Sequence, residues 1–239
     1  ARQAAEAKNI TFVNGVEISV SWRNRTIHIV GLNIDTNHEP LVQGLAEVRA
    51  GRAQRAENIA AELDKIGIHG SLEGAYAHVG ERRLIGRTHF ARFLVEQGHA
   101  KDVKSVFKHY LVKGKPGYTP HQWATLDDAV EWIQGSGGRA VIAHPGRYDM
   151  GKNVLNDLFE AFCAAGGSAI EVITPSHTPD QVRRFALHAR DRQLLVSCGS
   201  DFHGPGESFC DLGQLPELPD LCNPIWHDWP MHNRIPVNA

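Results

Sequence analysis

Five short stretches of this chain carry side chains able to hold a cation. Glu17 stands in NGVEISVSW, His28 in TIHIVG, His144 in AVIAHPG, Glu171 and His177 in AIEVITPSH, and Asp201 with His203 in LLVSCGSDFHGPG. Carboxylates mixed with imidazoles, and no thiolate, suit Mn²⁺, Fe²⁺ or Zn²⁺ better than a structural zinc site. Two or three such ions sharing a bridging carboxylate lower the pKa of water and clamp a phosphate oxygen during in-line displacement; Glu17 is the natural bridge. Each residue also has a plainer reading. A strand glutamate is most often a solvated or paired carboxylate, and a histidine between Ile27 and Ile29 is equally a hydrogen-bonded core residue. The case is stronger for His144, because Pro145-Gly146 sets a rigid turn behind it. It is strongest for Asp201-x-His203, since alternate residues of an extended chain project to one side. Jointly the set favours a metal.

Such residues need elements to converge them. The apolar run Ile10-Val13 reads as a strand, followed by β segments Val16-Val20 and Thr26-Leu32 around the polar turn Arg23-Asn24-Arg25. Helical spacing runs from Leu45 to Ile66, with Gly67 as a stop, and two shorter helices are expected at Thr88-Gln97 and Val103-Leu111. Thereafter helix and strand alternate: helix Leu126-Gln134 capped by Thr125, strand Arg139-Ala143, helix Asn153-Ala165, strand Ala169-Val172, helix Asp180-Asp191, strand Leu194-Ser197. That is the rhythm of an α/β barrel or a doubly wound sheet. In α/β barrels chemistry lies at the C-terminal strand ends, where the loops converge.

The 239 residues, 42% hydrophobic, are enough for one sizeable core with an insertion. A net charge of -2 announces neither a nucleic-acid nor a membrane protein globally, but Arg82 to Lys115 holds nine Lys and Arg against Glu96 and Asp102, a balance that could hold an anion. The four cysteines form no C-x-x-C pair and no apolar run is long enough to span a membrane, so a reduced cytoplasmic enzyme is expected, with no obligate protein partner. The chain opens without Met on an uncapped helix-like stretch, ARQAAEAKNITFVNGVE, which predicts that the natural protein extends upstream of Ala1.

NGVEISVSW with IHIVG, AVIAHPGRYD and GSDFHGPG, in this order, resembles the PHP (polymerase and histidinol phosphatase) metallohydrolases. GRTHFARFLV, YLVKGKPGY and HQWATLDDAV are similar to the branch of nucleoside 3',5'-bisphosphate phosphatases related to ribonuclease AM, a 5'-to-3' exoribonuclease. The resemblance covers essentially the whole chain. It implies an α/β fold, a distorted (β/α)7 TIM-like PHP barrel formed by 1–36 and 118–239, with a helical, substrate-binding insertion at 37–117. It implies two or three metal ions, usually Mn²⁺, with Zn²⁺, Fe²⁺ or Mg²⁺ as alternatives. Glu17 corresponds to the bridging carboxylate, His28 and His144 to ligands of one ion, and Asp201 and His203 to the closing Asp-x-His pair; Glu17, His144 and Asp201 are the expected catalytic residues. The family pattern also has a His-x-His, an Asp and a second-strand His, which the resemblance places upstream of Ala1. The chain as it stands is therefore expected to lack the first β/α units, to bind metal weakly and to turn over little.

Phosphates call for Arg and Lys, whose guanidinium groups bind their oxygens bidentately. By resemblance Arg87, Thr88, His89 and Lys115 form the phosphate pocket, whereas most of Lys101, Lys104, Lys108 and Lys113 read as a solvated surface. Arg147, His121 and His177 are expected at the mouth, as phosphate contacts or behind the metal. Tyr118 and Trp123 either stack on a base or serve as core. The expected substrates are nucleoside 3',5'-bisphosphates and RNA 5' ends. The rivals are a histidinol-phosphate-type phosphatase and a catalytically dead PHP-like module that only binds nucleotides.

Overall fold

Arg23 and Asn24 both adopt positive φ, 45° and 60°. That is what a two-residue hairpin turn of the primed type demands, because its twist matches the twist of the flanking strands. The turn joins β1 (Gly15–Trp22) to β2 (Arg25–Leu32) in an antiparallel ladder running from Gly15 opposite Leu32 to Trp22 opposite Arg25. The computed structural model describes residues 2–120, 123–204 and 210–229. His121, like Pro205 and Gly206 of the GSDFHGPG motif, lies outside the described residues.

The chain divides into two compact units, one formed by residues up to 42 together with those from 124 onward, the other by 43–123. In the first unit, β1 is preceded by the short helix α1 (Arg2–Ala7), which buries none of its residues. Residues 10–13 form no ladder, contrary to the strand expected there: Ile10 is 62% exposed and pairing begins only at Gly15, where β2 supplies a partner. Beyond β2, α2 (Glu39–Asp64) starts six residues earlier than its apolar spacing suggests and carries the chain into the second unit.

There α2 is followed by α3 (Ser71–Ala77), α4 (Arg87–Glu96) and α5 (Val103–Val106), the last continuing into a π-helical turn over Phe107–Leu111. Ile59, Leu63, Phe90, Leu94, Val106 and Leu111 share its buried core. The sequence hides α3 because it is short, has no side-chain cap and contains Gly74, and a glycine weakens a helical reading.

Back in the first unit come α6 (Leu126–Gly135), β3 (Arg139–Ile142), α7 (Lys152–Ala164), β4 (Ala169–Ile173), α8 (Pro179–Asp191) and β5 (Leu195–Cys198). Thr125 caps α6 as expected, accepting from the Asp128 N–H while Asp128 returns the bond. The five strands form one sheet in the order β1-β2-β3-β4-β5. β2 and β3 are antiparallel, and β3, β4 and β5 run parallel. The fold is thus mixed α/β. Phe159, Phe162 and Phe185 from α7 and α8 are fully buried, as is every residue of β4, the pattern of a parallel strand covered on both faces. On β2, a Cβ at Gly31 would sit 2.7 Å from Ile133 of α6, so only glycine lets this helix approach so closely.

Candidate metal centre

The hairpin register brings the first two candidates together. His28 lies directly opposite Ser19, and Glu17, two residues before Ser19, projects from the same face one diagonal step away. The neighbouring ladder sets Ile29 opposite Ile142, so His28 is level with Ala143, whose N–H donates to the His28 carbonyl at 3.1 Å. The next residue, His144, adopts left-handed φ 31° and ψ 55° before Pro145 opens a short 3₁₀ turn. Three donor atoms meet: Glu17 Oε1 is 2.9 Å from His28 Nδ1 and 3.3 Å from His144 Nε2, and the two nitrogens are 3.3 Å apart. Glu17 and His28 stand on strand faces rather than at strand ends, so the strand-end rule finds His144 but not its partners.

His144 is 4% exposed, while Glu17 and His28 are open to solvent on one side. Burial pushes the Glu17 carboxyl up, but hydrogen bonds from His144 and His28 and the charges of both rings outweigh it and hold Glu17 well below the usual carboxylate range. An anionic oxygen facing two imidazole nitrogens is the donor set of a divalent cation. Among the described residues these are the three whose ligand atoms lie within 4.8 Å of one another. Among the described residues the buried His144 Nδ1 has no hydrogen-bond partner. The residues present therefore fit a metal ion, with coordination positions left over for further ligands.

Two further residues hold the centre in place: Tyr148, which no sequence pattern nominated, and Glu171, nominated as a possible cation ligand and found bonded to backbone. Tyr148 accepts from the His28 N–H and donates to the Ala143 carbonyl, both at 2.9 Å, and its ring packs edge-on against His144 at 5.6 Å. Burial raises its phenol, which keeps the donating proton. Glu171, on β4 and 9% exposed, accepts the His144 backbone N–H at 2.7 Å. Burial pushes its carboxyl up to about 8 against that hydrogen bond, with the charges of Asp201 and Glu17 adding to the rise. Its other oxygen sits against Gly199, where a Cβ would come within 2.5 Å. The only sequence signals were a Glu inside the apolar run AIEVI and a Tyr four residues after His144.

Asp201 and His203 are placed differently. β5 ends at Cys198, and Asp201 takes a left-handed φ of 46°, so the alternation of an extended strand does not align this pair. Asp201 Oδ2 accepts from Arg147 Nη1 at 2.6 Å, which engages the guanidinium expected to meet phosphate. His203, 60% exposed, points Nδ1 to the Asp201 carbonyl at 2.7 Å. Neither joins the cluster of three. His177 has both nitrogens in use: Nδ1 donates to the Val172 carbonyl and Nε2 accepts the Gly146 N–H, each at 2.9 Å. Of the two roles expected of it, phosphate contact or a place behind the metal, these bonds fit the second: the ring ties the end of β4 to the turn behind His144. Burial lowers its pKa, in keeping with the neutral ring these bonds require.

In the second unit Arg87 opens α4, its Nη1 donating to the Leu111 carbonyl at 3.3 Å and its Cζ 5.5 Å from the Phe107 ring. Thr88 follows, half-buried. His89 Nδ1 accepts the Gly86 N–H at 3.0 Å, and burial lowers its pKa. Lys115 lies exposed in the turn before Tyr118. Trp123 packs against arginines: the guanidinium carbons of Arg52 and Arg55 lie 5.0 and 5.5 Å from its ring centre.

No family model matches the chain. It is 51% identical to a 3',5'-nucleoside bisphosphate phosphatase of Chromobacterium violaceum, over 95% of this chain and 80% of that protein. It is 43% identical to a 5'-3' exoribonuclease of Escherichia coli, over 92% and 74%. A solved structure from Chromobacterium violaceum, described as an amidohydrolase with bound sulfate and no metal, superposes with a TM-score of 0.89 at 52% identity, over 94% of this chain and 78% of that one. Another, from Bifidobacterium adolescentis and described as a proposed metal-dependent phosphoesterase, gives 0.76 at 26% identity, over 87% and 73%. With these relatives, the chain belongs to the PHP family of phosphoester hydrolases, in the branch of nucleoside 3',5'-bisphosphate phosphatases and 5'-3' exoribonucleases.

Proposed function

We propose that this chain hydrolyses the 3'-phosphate of nucleoside 3',5'-bisphosphates, and acts as a 5'-to-3' exoribonuclease on RNA 5' ends, at a divalent-metal centre built on Glu17, His28 and His144. The observation that carries the reading is the meeting of three donor atoms within 3.3 Å on elements far apart in sequence. When bound, the metal supplies Lewis acidity toward a phosphoryl oxygen and toward the attacking water. Glu17 holds negative charge at the centre, His28 and His144 orient it, and Tyr148 and Glu171 fix the strand ends from which the imidazoles reach. Asp201 and His203 would add to the residues that hold the ion, Asp201 by giving up its bond to Arg147. Water oxygen bonds to phosphorus as the water gives up a proton, the ester P–O bond breaks, and the departing 3'-oxygen takes up a proton in its place.

Arg87, Thr88, His89 and Lys115, with Arg147 once Asp201 has released it, are assigned to the substrate phosphates on their chemistry. His177 serves the substrate indirectly, through the turn behind His144. The preferred ion is Mn²⁺, in keeping with a ligand set of oxygens and imidazoles. The sheet belongs to a distorted (β/α)7 barrel over 1–36 and 118–239 with 37–117 inserted, a reading supported by the TM-score of 0.89 to a solved relative. Among the described residues no helix is long and apolar enough to cross a membrane, and the four free cysteines accord with a reducing cytoplasm. Phosphate release from pAp, 5'-phosphorylated RNA and histidinol phosphate tests the assignment. Turnover of the first two supports it, and turnover of histidinol phosphate alone overturns it.

A further inference from the structure

Apart from the metal centre, the first unit holds a groove of about 550 Å³ between α8 and the stretch that follows Cys210. That volume is within the roughly 300–1,000 Å³ of small-molecule sites. The connection from β4 to α8 contributes Pro175 and Pro179 to its lining, and the second stretch contributes Pro216 and Pro219. Proline fixes its own φ, so these surfaces are set before a ligand arrives and offer apolar contact to a ring. His177 also lines the groove, but both its nitrogens are engaged, and the Cys210 thiol donates to the Asp211 carbonyl. Thr174 differs: it lines the same groove, is 4% exposed, and its Oγ1 has no hydrogen-bond partner among the described residues. A buried hydroxyl left unpaired costs free energy that a polar group entering the groove would recover. Arg183 and Glu217 line the groove from exposed positions, and among the described residues neither is in an ion pair.

A ligand matching these features from the buried end outward has a hydroxyl, an apolar ring and a head that carries both charges. We propose that the groove binds a free amino acid with a hydroxylated aromatic side chain: its ring against the prolines, its hydroxyl on Thr174 Oγ1, its carboxylate toward Arg183 and its ammonium toward Glu217. The two exposed charges select the free amino acid over the same side chain within a peptide, whose backbone carries neither charge. A simple aromatic acid or amine would leave one of them unmatched. The groove shares His177 with the turn behind His144, but none of Glu17, His28 and His144 lines it, so it is distinct from the metal centre.

Calorimetric titration of the full chain with tyrosine, phenylalanine and N-acetyltyrosinamide tests the site, in excess chelator so that no metal competes for the ligand. Tyrosine is expected to bind. The other two should bind about tenfold or more weakly, the loss that follows when a hydrogen bond to a buried group, or the charged contacts, are removed. Thr174→Val should weaken tyrosine by the same factor and leave phenylalanine unchanged. Arg183→Gln and Glu217→Gln should each narrow the gap between tyrosine and N-acetyltyrosinamide. Arg190→Gln, exposed on the same helix but outside the groove, should change nothing. No binding of tyrosine by the parent, equal affinities for tyrosine and phenylalanine, or parental tyrosine affinity in Thr174→Val overturns the proposal. N-acetyltyrosinamide binding as tightly as tyrosine overturns the free amino acid in favour of a peptide. If Thr174→Val does not fold by circular dichroism, Thr174→Ser, which keeps the hydroxyl, should retain tyrosine binding, and the comparison of tyrosine with phenylalanine on the parent decides.

Discussion

The strand-borne trio and the loop-borne pair of the first unit are built from the same residue types and behave differently. Glu17 and His28 sit in paired strands, and His144 follows a strand end fixed by bonds to His28, Tyr148 and Glu171, so backbone pairing brings their donor atoms together. Asp201 and His203 lie beyond β5, where no ladder constrains them, and the Asp201 carboxylate has taken the nearest cation, Arg147. Preorganisation therefore resides in the ladders. For Asp201 to serve the proposed centre, metal binding would have to outweigh the ion pair it gives up.

The largest expected effect breaks the trio. Glu17→Ala should strip bound metal, read by elemental analysis, and reduce pAp hydrolysis by more than the roughly 10–100-fold that loss of an outer partner costs; full metal content in this variant refutes the centre. Asp201→Ala tests the pair. It should lower Mn²⁺ affinity by a smaller factor, and Arg147→Ala should raise it by freeing the carboxylate, both read by calorimetry. Unchanged affinity in both would confine the centre to the trio.

The scaffold is the next target. Gly199→Ala drives a Cβ onto the Glu171 carboxyl and should cost about 1–3 kcal/mol of stability as an overpacked core substitution. Glu171→Ala should cost a similar amount by stranding the His144 N–H, whereas Glu171→Gln, which keeps an acceptor, should restore most of it. Equal melting temperatures for Ala and Gln would show that the His144 N–H does not depend on an acceptor at position 171.

The smallest effect concerns acid. His177 has a folded pKa below its unfolded value near 6.5, so the unfolded chain takes up the proton first. Its contribution is present above pH 6.5 and is lost as pH falls from there toward the folded value, because a protonated Nε2 no longer accepts the Gly146 N–H. Melting temperatures of the metal-free chain at pH 7.5 and 5.5 should therefore differ less in His177→Gln.

The sequence makes the elements from Leu126 to Cys198 readable because helix and strand periods alternate cleanly there, with capping residues such as Thr125 in plain view. Residues 10–13 mislead because an apolar run reports burial appetite and not the presence of a neighbour to pair with. The members of the trio could be nominated by type, yet their meeting depends on ladder register, a pairing between distant segments that no local pattern contains. Tyr148, and the backbone-holding role of Glu171, escaped for the same reason. A buried carboxyl and a phenol look ordinary until the backbone groups they satisfy are known.

The Arg23-Asn24 turn sets a condition that reaches well beyond itself. Strand side chains alternate between faces, so a hairpin counts residues by parity: lengthening this turn by one would shift the pairing and send either His28 or Glu17 to the opposite side of the sheet. The two could then no longer share a cation, although every ligand would still be present in the sequence. For a chain that uses this centre, the length of an exposed surface turn is as constrained as the identity of a buried histidine.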